Sequence, residues 1–361
     1  MSIESLARPD ILAMKPYSSA RKEAPASGIL LNANEAPAPL LDEVGLAVGL
    51  NRYPDPQPAE LIRRLAVLYG VPHDHLLATR GSDEGIDLLT RVFCRAGRDA
   101  ILHCPPTFGM YRIAAQAQGA GIVSVAREPG RGFALDETAV LAALAEHPSI
   151  RIVFLTSPNN PTGDLVSVEF LRRLLDAARG QALVVLDEAY IEFSSAESAA
   201  ALVASHENLV VLRTLSKAWA SAGLRCGLVI ANPTVIALLQ RVIAPYPLPG
   251  PVIALALRVV EPDIMERQRQ LLATLRDNKH ALLRALEGRE FILERLPGEA
   301  NFVLIRVERA TELLGFCAAK GIVLRGFAGD PALRDWLRIT VGSGDEISAL
   351  SAALDAWEAL P

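Results

Sequence analysis

Between about Pro72 and Ala231 the chain alternates short, nearly unbroken apolar runs with longer segments of helical spacing. The runs are AILHC from Ala100, RIVFL from Arg151, ALVVLD from Ala182, LVVLRT from Leu209 and GLVIA from Gly227. They are rich in Val, Ile and Leu and lack the alternation of a strand with one wet face, so each predicts a strand buried on both sides. The segment Ser167 to Arg179 carries the period of an amphipathic helix. Buried strands separated by helices predict an α/β architecture, a mostly parallel sheet flanked by helices.

The pattern changes after the proline-rich stretch APYPLPGP, Ala244 to Pro251. A long charged helix is expected from about Pro262 to Glu287. Strands follow at Asn301 to Val307, Ile322 to Arg325 and Trp336 to Val341, with a helix from Thr311 to Lys320 and a closing helix. That predicts a smaller α+β domain. The expected division is an amino-terminal arm over 1–34 that forms part of the small domain, a large domain over 35–250 and the small domain over 251–361.

A chain of 361 residues is long enough for two or three domains and a deep site between them. Hydrophobic residues at 51% and charged residues at 21% describe a folded globular chain rather than a disordered one. A formal charge of -5 without a basic block argues against a nucleic-acid partner. No apolar run reaches the roughly 18 residues of a membrane span, and the amino end lacks the features of an export or transit signal. A cytoplasmic protein is therefore expected. Cys94, Cys104, Cys226 and Cys317 are too scattered for a zinc cage or a disulfide framework and are expected to be reduced core thiols. No metal site is expected.

Four segments carry candidate chemistry, each ambiguous by itself. In TLSKAWASAGLRCG, Thr214 to Gly227, a hydroxyl, a lysine and an arginine follow a strand at short spacing. A lysine there could react with an aldehyde if desolvation or nearby positive charge favours its free amine, or it could be a solvated surface residue. In LDEAYIEF, Asp187 closes an apolar strand and Tyr190 follows three residues later. The carboxyl ends of parallel strands are where such sheets bind ligands, although an aspartate there can equally cap a helix. SPNNPTG, Ser157 to Gly163, reads as a turn. RGSDEGIDLL from Arg80 places Gly81, Ser82 and Asp83 at a helix start, where free N–H groups could seat a phosphate or Ser82 or Asp83 could simply be an N-cap.

Taken together and in this order, the segments resemble the fold-type-I pyridoxal-phosphate-dependent aminotransferases. LNANE from Leu31, RYPDPQP from Arg52, RGSDEGIDLL, PPTFGMY from Pro105, NNPTG, DEAYIEF, TLSKAWASAGLRCG and LRITVG from Leu337 are similar, more closely, to the histidinol-phosphate aminotransferase branch of that family. The resemblance runs from about Met14 to Val341. It implies a seven-stranded large-domain sheet, a homodimer and pyridoxal phosphate as cofactor.

By this resemblance Lys217 carries the cofactor as a Schiff base and, once released, moves the substrate's proton. Asp187 pairs with the pyridine nitrogen, while Asn160 and Tyr190 hydrogen-bond the ring's phenolic oxygen. Gly81, Ser82, Asp83, Thr214, Ser216 and Arg225 hold the phosphate, joined by Tyr53 across a dimer interface. Phe108 stacks on the ring where the family carries a tyrosine, with Tyr111 as an alternative source of that ring. Arg338 grips the α-carboxylate of glutamate. Arg325, Tyr17 and Asn34 help hold the end of the substrate that varies. On residue type and position alone, the two arginines on predicted strands would more readily be read as facing solvent.

The activity implied is a reversible ping-pong transfer of an amino group from glutamate to imidazole-acetol phosphate, within histidine biosynthesis. An aromatic or broad-specificity aminotransferase, a decarboxylase of the same fold and a non-catalytic cofactor-binding homologue stay open as alternatives.

Overall fold

The structure is a computed structural model and describes residues 28–32, 34, 37–38 and 54–360. Its strands run in chain order as β1 (Ile29–Leu30), β2 (Leu76–Thr79), β3 (Ala100–His103), β4 (Gly121–Ser124), β5 (Ile150–Thr156), β6 (Leu183–Asp187), β7 (Leu209–Thr214), β8 (Gly227–Ala231), β9 (Ile292–Leu296), β10 (Phe302–Val307), β11 (Ile322–Val323), β12 (Arg325–Gly326) and β13 (Trp336–Thr340). Seven of them form one sheet in the order β2-β8-β7-β6-β5-β3-β4. Neighbours from β7 to β4 pair in parallel, whereas β8 is antiparallel to both β7 and β2.

The unbroken apolar runs are explained by two covered faces. Leu102, Val153, Val184, Val211 and Leu228 pack on one side with Leu65 and Phe170. Their chain neighbours Ile101, Ile152, Val185, Val210 and Val229 pack on the other with Ile86, Leu89 and Tyr111, as the two-residue period of a strand requires. Helices at Ala59–Tyr69, Ser82–Phe93, Met110–Gln118 and Val168–Ala178 provide these covers. The last starts where Ser167 Oγ accepts the Phe170 N–H at 3.1 Å.

A second core lies under the four-stranded antiparallel sheet β12-β13-β10-β9. Val303, Ile305, Leu337 and Ile339 meet Leu350 and Leu354 of the closing helix Gly344–Glu358, and Leu275 and Leu282 of the long helix Pro262–Ala285. Leu31 joins this core, because β1 pairs in parallel with β11.

Four strands were not foreseen, each for a local reason; β1 has only two residues. β2 has only four residues. β4 is an edge strand none of whose four residues is fully buried. β9 alternates half-buried with exposed positions and carries Glu294 and Arg295, so no continuous apolar run marks it. The single strand expected at Ile322 to Arg325 is divided: β11 joins β1, and after the buried Leu324 β12 joins β13. All four cysteines are free and buried. Among the described residues no helix is long and apolar enough to cross a membrane, and no cluster of side chains could hold a metal ion.

Candidate active site

The strand directions bring four chain segments to one edge of the large sheet. Thr156 and Asp187 are register partners at the carboxyl ends of β5 and β6. Thr214 ends β7, and β2 ends at Thr79; both pair with Gly227, the first residue of the antiparallel β8. Ligands bind where parallel strands end, and here that edge opens into a cleft of about 490 Å³. The small sheet closes the other side with Arg325 and Arg338, joined by Phe327 just beyond β12.

Gly227 has a steric reason to be glycine. A Cβ there would stand 2.4 Å from the carbonyl carbon of Gly81 and from the nitrogen of Ser82. Gly81 is itself the N-cap of the helix Ser82–Phe93, with φ of 77° and no side-chain cap. The helix start is thus left to backbone N–H groups, and Ser82 and Asp83 belong to its first turn rather than capping it. Ser82, Asp83, Thr214, Ser216 and Arg225 line this end of the cleft. Gly81 lies behind them against the Arg225 guanidinium, which a Cβ would approach to 2.7 Å. Arg225 Nη2 also donates to Asp83 Oδ2 at 3.3 Å. A helix N-terminus, hydroxyls and a guanidinium suit a phosphate.

At the centre, Lys217 is half-buried, with Nζ 5.9 Å from the centre of the Tyr190 ring. It is not a solvated surface lysine. Asp187 lies deeper, 2% exposed. Its Oδ1 accepts the Ala189 N–H at 3.1 Å and its Oδ2 accepts the Tyr111 hydroxyl at 2.8 Å. Burial pushes this carboxyl up to about 6, against the pull of those two donors. The Tyr190 hydroxyl accepts from Asn34 Nδ2 at 3.2 Å, and burial raises it in spite of Arg338 and Asn34.

Arg338 is 6% exposed rather than solvent-facing. It donates to Asn160 Oδ1 and, at 3.0 Å, to the Asn32 carbonyl. Asn34 is held at both ends by Thr340: its N–H donates to Oγ1 at 3.1 Å, and its Oδ1 accepts from Oγ1 at 2.9 Å. Arg325 is half-buried and lies over the Phe327 ring at 5.7 Å. The small sheet is latched to the turn that carries Asn160. The Gly163 carbonyl accepts the Glu299 N–H at 2.7 Å, and a Cβ on Gly298 would come within 2.6 Å of Gly163 Cα.

Phe108 lines the cleft, whereas Tyr111 is fully buried beneath it, stacked on Phe154 at 4.7 Å. Of the two candidates for the ring-stacking position, Phe108 is the one that lines the cleft. Tyr17 and Tyr53 lie outside the described residues. Phe327, Asp330 and Leu333 also line the cleft; they sit between β12 and β13, where nothing in the sequence marks a site. Tyr111 and Thr156 were missed as partners of Asp187. The signal was a tyrosine three positions beyond Phe108 at a helix start, which periodicity counts only as core.

Residues 26–354 match the family model described as aminotransferase class I and II. The chain belongs to that family. It is 44% identical over 360 residues to a histidinol-phosphate aminotransferase of Aeromonas hydrophila, covering 98% of each chain. It is 43% identical to one of Cronobacter sakazakii, covering 98% of this chain and 97% of the relative. Among solved structures it is similar to the histidinol-phosphate aminotransferase of Sinorhizobium meliloti in complex with pyridoxal-5'-phosphate, with a TM-score of 0.84, 20% identity and 98% of each chain covered. It is also similar to that of Clostridium acetobutylicum, with a TM-score of 0.81, 21% identity and coverage of 91% of this chain and 98% of the other. These two likenesses show the fold, a fold-type-I aminotransferase with its mostly parallel seven-stranded sheet.

Proposed function

We propose that the chain is a pyridoxal-phosphate-dependent transaminase that moves the amino group of glutamate to imidazole-acetol phosphate, giving histidinol phosphate and 2-oxoglutarate. The observation that carries this reading is the convergence of Lys217, Asp187, Asn160, Tyr190, Arg225 and Arg338 on one cleft of a chain over 40% identical to histidinol-phosphate aminotransferases. The residues present fit the cofactor: a buried carboxylate for the pyridine nitrogen, an amine for the aldehyde and an anion seat for the phosphate.

Pyridoxal phosphate, when bound, supplies an electron-withdrawing ring conjugated to the reacting carbon. The rest falls to the chain. Asp187 holds the proton on the pyridine nitrogen, and its burial strengthens that charge pair. Asn160 and Tyr190 bond the phenolic oxygen. Ser82, Asp83, Thr214, Ser216 and Arg225, with the backbone at Gly81, hold the phosphate, and Phe108 covers the ring. Lys217 would tether the cofactor and, once released as a free amine, would take up and return the proton at the substrate's α-carbon. Arg338 binds the α-carboxylate with a planar fork. Arg325 and Asn34, with Tyr17, hold the end at which the two substrates differ.

The same reading makes the active unit a cytoplasmic homodimer in which Tyr53 reaches the neighbouring cofactor's phosphate. It divides the chain into an arm over 1–34, a large domain over 35–250 and a small domain over 251–361. The packing of Leu31 in the small-sheet core supports the assignment of the arm to the small domain. The visible absorption spectrum tests the whole. The yellow band of the bound cofactor should be bleached by glutamate and restored by imidazole-acetol phosphate. Bleaching without restoration would leave a transaminase with another acceptor, and no band after cofactor addition would end the reading.

A further inference from the structure

A tyrosine used only for packing needs no hydroxyl at its buried end, and a buried hydroxyl has to recover the water it gives up. Tyr111 is fully buried. Its ring is stacked on Phe154 at 4.7 Å and an interplanar angle of 6°, and stands edge-on to Phe108 at 5.7 Å and 83°. Its hydroxyl lies 2.8 Å from Asp187 Oδ2 and 2.7 Å from Thr156 Oγ1. A hydroxyl has one proton. Because Asp187 offers only acceptors when ionised, Tyr111 donates to Asp187 and Thr156 donates to Tyr111. A donor placed on the phenolic oxygen polarises its O–H and strengthens the bond it makes in turn.

We propose that Tyr111 is a positioning residue for the reaction: through its hydroxyl it keeps the Asp187 carboxylate ionised and aimed into the cleft, while its ring backs Phe108. The proposal rests on the reading of Asp187 as the partner of the cofactor's pyridine nitrogen. With one donor fewer, a carboxylate this deeply buried takes up a proton at higher pH and holds one on the ring less firmly. Burial is the largest influence raising Asp187, and the Tyr111 hydrogen bond is the largest opposing it. The other titratable groups facing it are Asp83 from the helix Ser82–Phe93, Glu188 beside it, Tyr190, and Lys217 across the cleft. Asp83 and Glu188 both raise its proton affinity, and the phenol is the largest influence set against them.

The test uses the full chain, first without cofactor and then titrated with pyridoxal phosphate. The infrared carbonyl stretch of protonated Asp187, identified by its loss in Asp187→Asn, gives the pH midpoint of that group directly. Tyr111→Phe should move the midpoint upward by about one pH unit, as expected for loss of one hydrogen bond to a charged group. It should also weaken pyridoxal phosphate binding at neutral pH by about tenfold. Thr156→Val, which removes only the donor to the phenol, should shift the midpoint the same way by less, and decides the matter if Tyr111→Phe does not fold. In an Asp187→Asn background Tyr111→Phe should leave cofactor affinity unchanged. An unmoved midpoint, or an equal loss of affinity in that background, would overturn the proposal and leave Tyr111 as packing. If the parent chain bound no pyridoxal phosphate the proposed function would fail, while the midpoints would still decide whether Tyr111 governs Asp187.

Discussion

Two aspartates, Asp187 and Asp83, line the same cleft under opposite conditions. Asp187 at the floor is 2% exposed and is held by a phenol and a backbone N–H. Asp83 at the rim has a side chain 42% exposed, and its partner Arg225 is 51% exposed. At the floor, low polarity makes every charge expensive and every hydrogen bond strong. At the rim, water and salt screen the pair, which leaves about 0.2–1 kcal/mol for an interaction of this kind. The floor is where the fold gives up stability to hold a reactive arrangement, and the rim can be built from inexpensive, replaceable contacts.

The largest effect is expected from the residue between the two. Lys217→Ala should reduce turnover by about 10²–10⁴-fold or more, the range of a lost general base, with little change in the melting temperature of the cofactor-free chain. Stopped-flow traces with glutamate would show this, and a variant that kept full turnover would remove Lys217 from the chemistry.

Asp187→Asn should come next, with turnover down by about 10²-fold and stability changed in the opposite sense. Burial raises the Asp187 carboxyl from 3.8 to about 6, so the folded chain holds this proton more tightly than the unfolded chain does. The stability it contributes is complete below about pH 3.8 and is lost as the pH rises through about 6. Without cofactor, Asp187→Asn should therefore melt higher than the parent at about pH 7.5, by up to roughly 3 kcal/mol, and match it near pH 4. Equal melting curves at both pH values would mean that the floor is not strained by its charge.

Gly227→Ala carries the comparison to the rim by steric means. Its Cβ would press on Gly81 and Ser82 at 2.4 Å, with a cost of about 1–3 kcal/mol, and should weaken binding of pyridoxal phosphate while leaving Lys217 intact. Calorimetry separates the two losses. The smallest effect is expected from Asp83→Asn, with a change below about 1 kcal/mol in the cofactor-free chain, reduced further by added salt. A larger, salt-insensitive loss would show that the rim is as demanding as the floor.

The same contrast decides what could be read from the sequence. The strands that carry the floor are unbroken apolar runs because both their faces are covered, so AILHC, ALVVLD and LVVLRT announced the sheet and with it the edge on which Asp187 and Lys217 lie. Rim and wall residues come from turns whose meeting depends on register. Nothing local told that Gly227 would face both Thr79 and Thr214, or that one run at Ile322 would serve two sheets. The roles of Asn160, Tyr190 and Arg338 came from likeness to a family, since each taken alone reads as a turn, a core ring or a strand residue. Tyr111 was weighed only as a stacking ring, because a buried tyrosine in helical register looks the same whether or not its hydroxyl is used.

The crossing of Gly163 and Gly298 bears on how such chains can be recombined. The turn carrying Asn160 is tied through Gly163 to Glu299, and Asn160 itself is bonded to Arg338. A chimera that took its carboxy-terminal unit from a relative to change substrate choice would import a new partner for a loop left behind in the other parent. The natural unit of exchange is therefore discontinuous, with residues 159–164 travelling alongside residues 298–340.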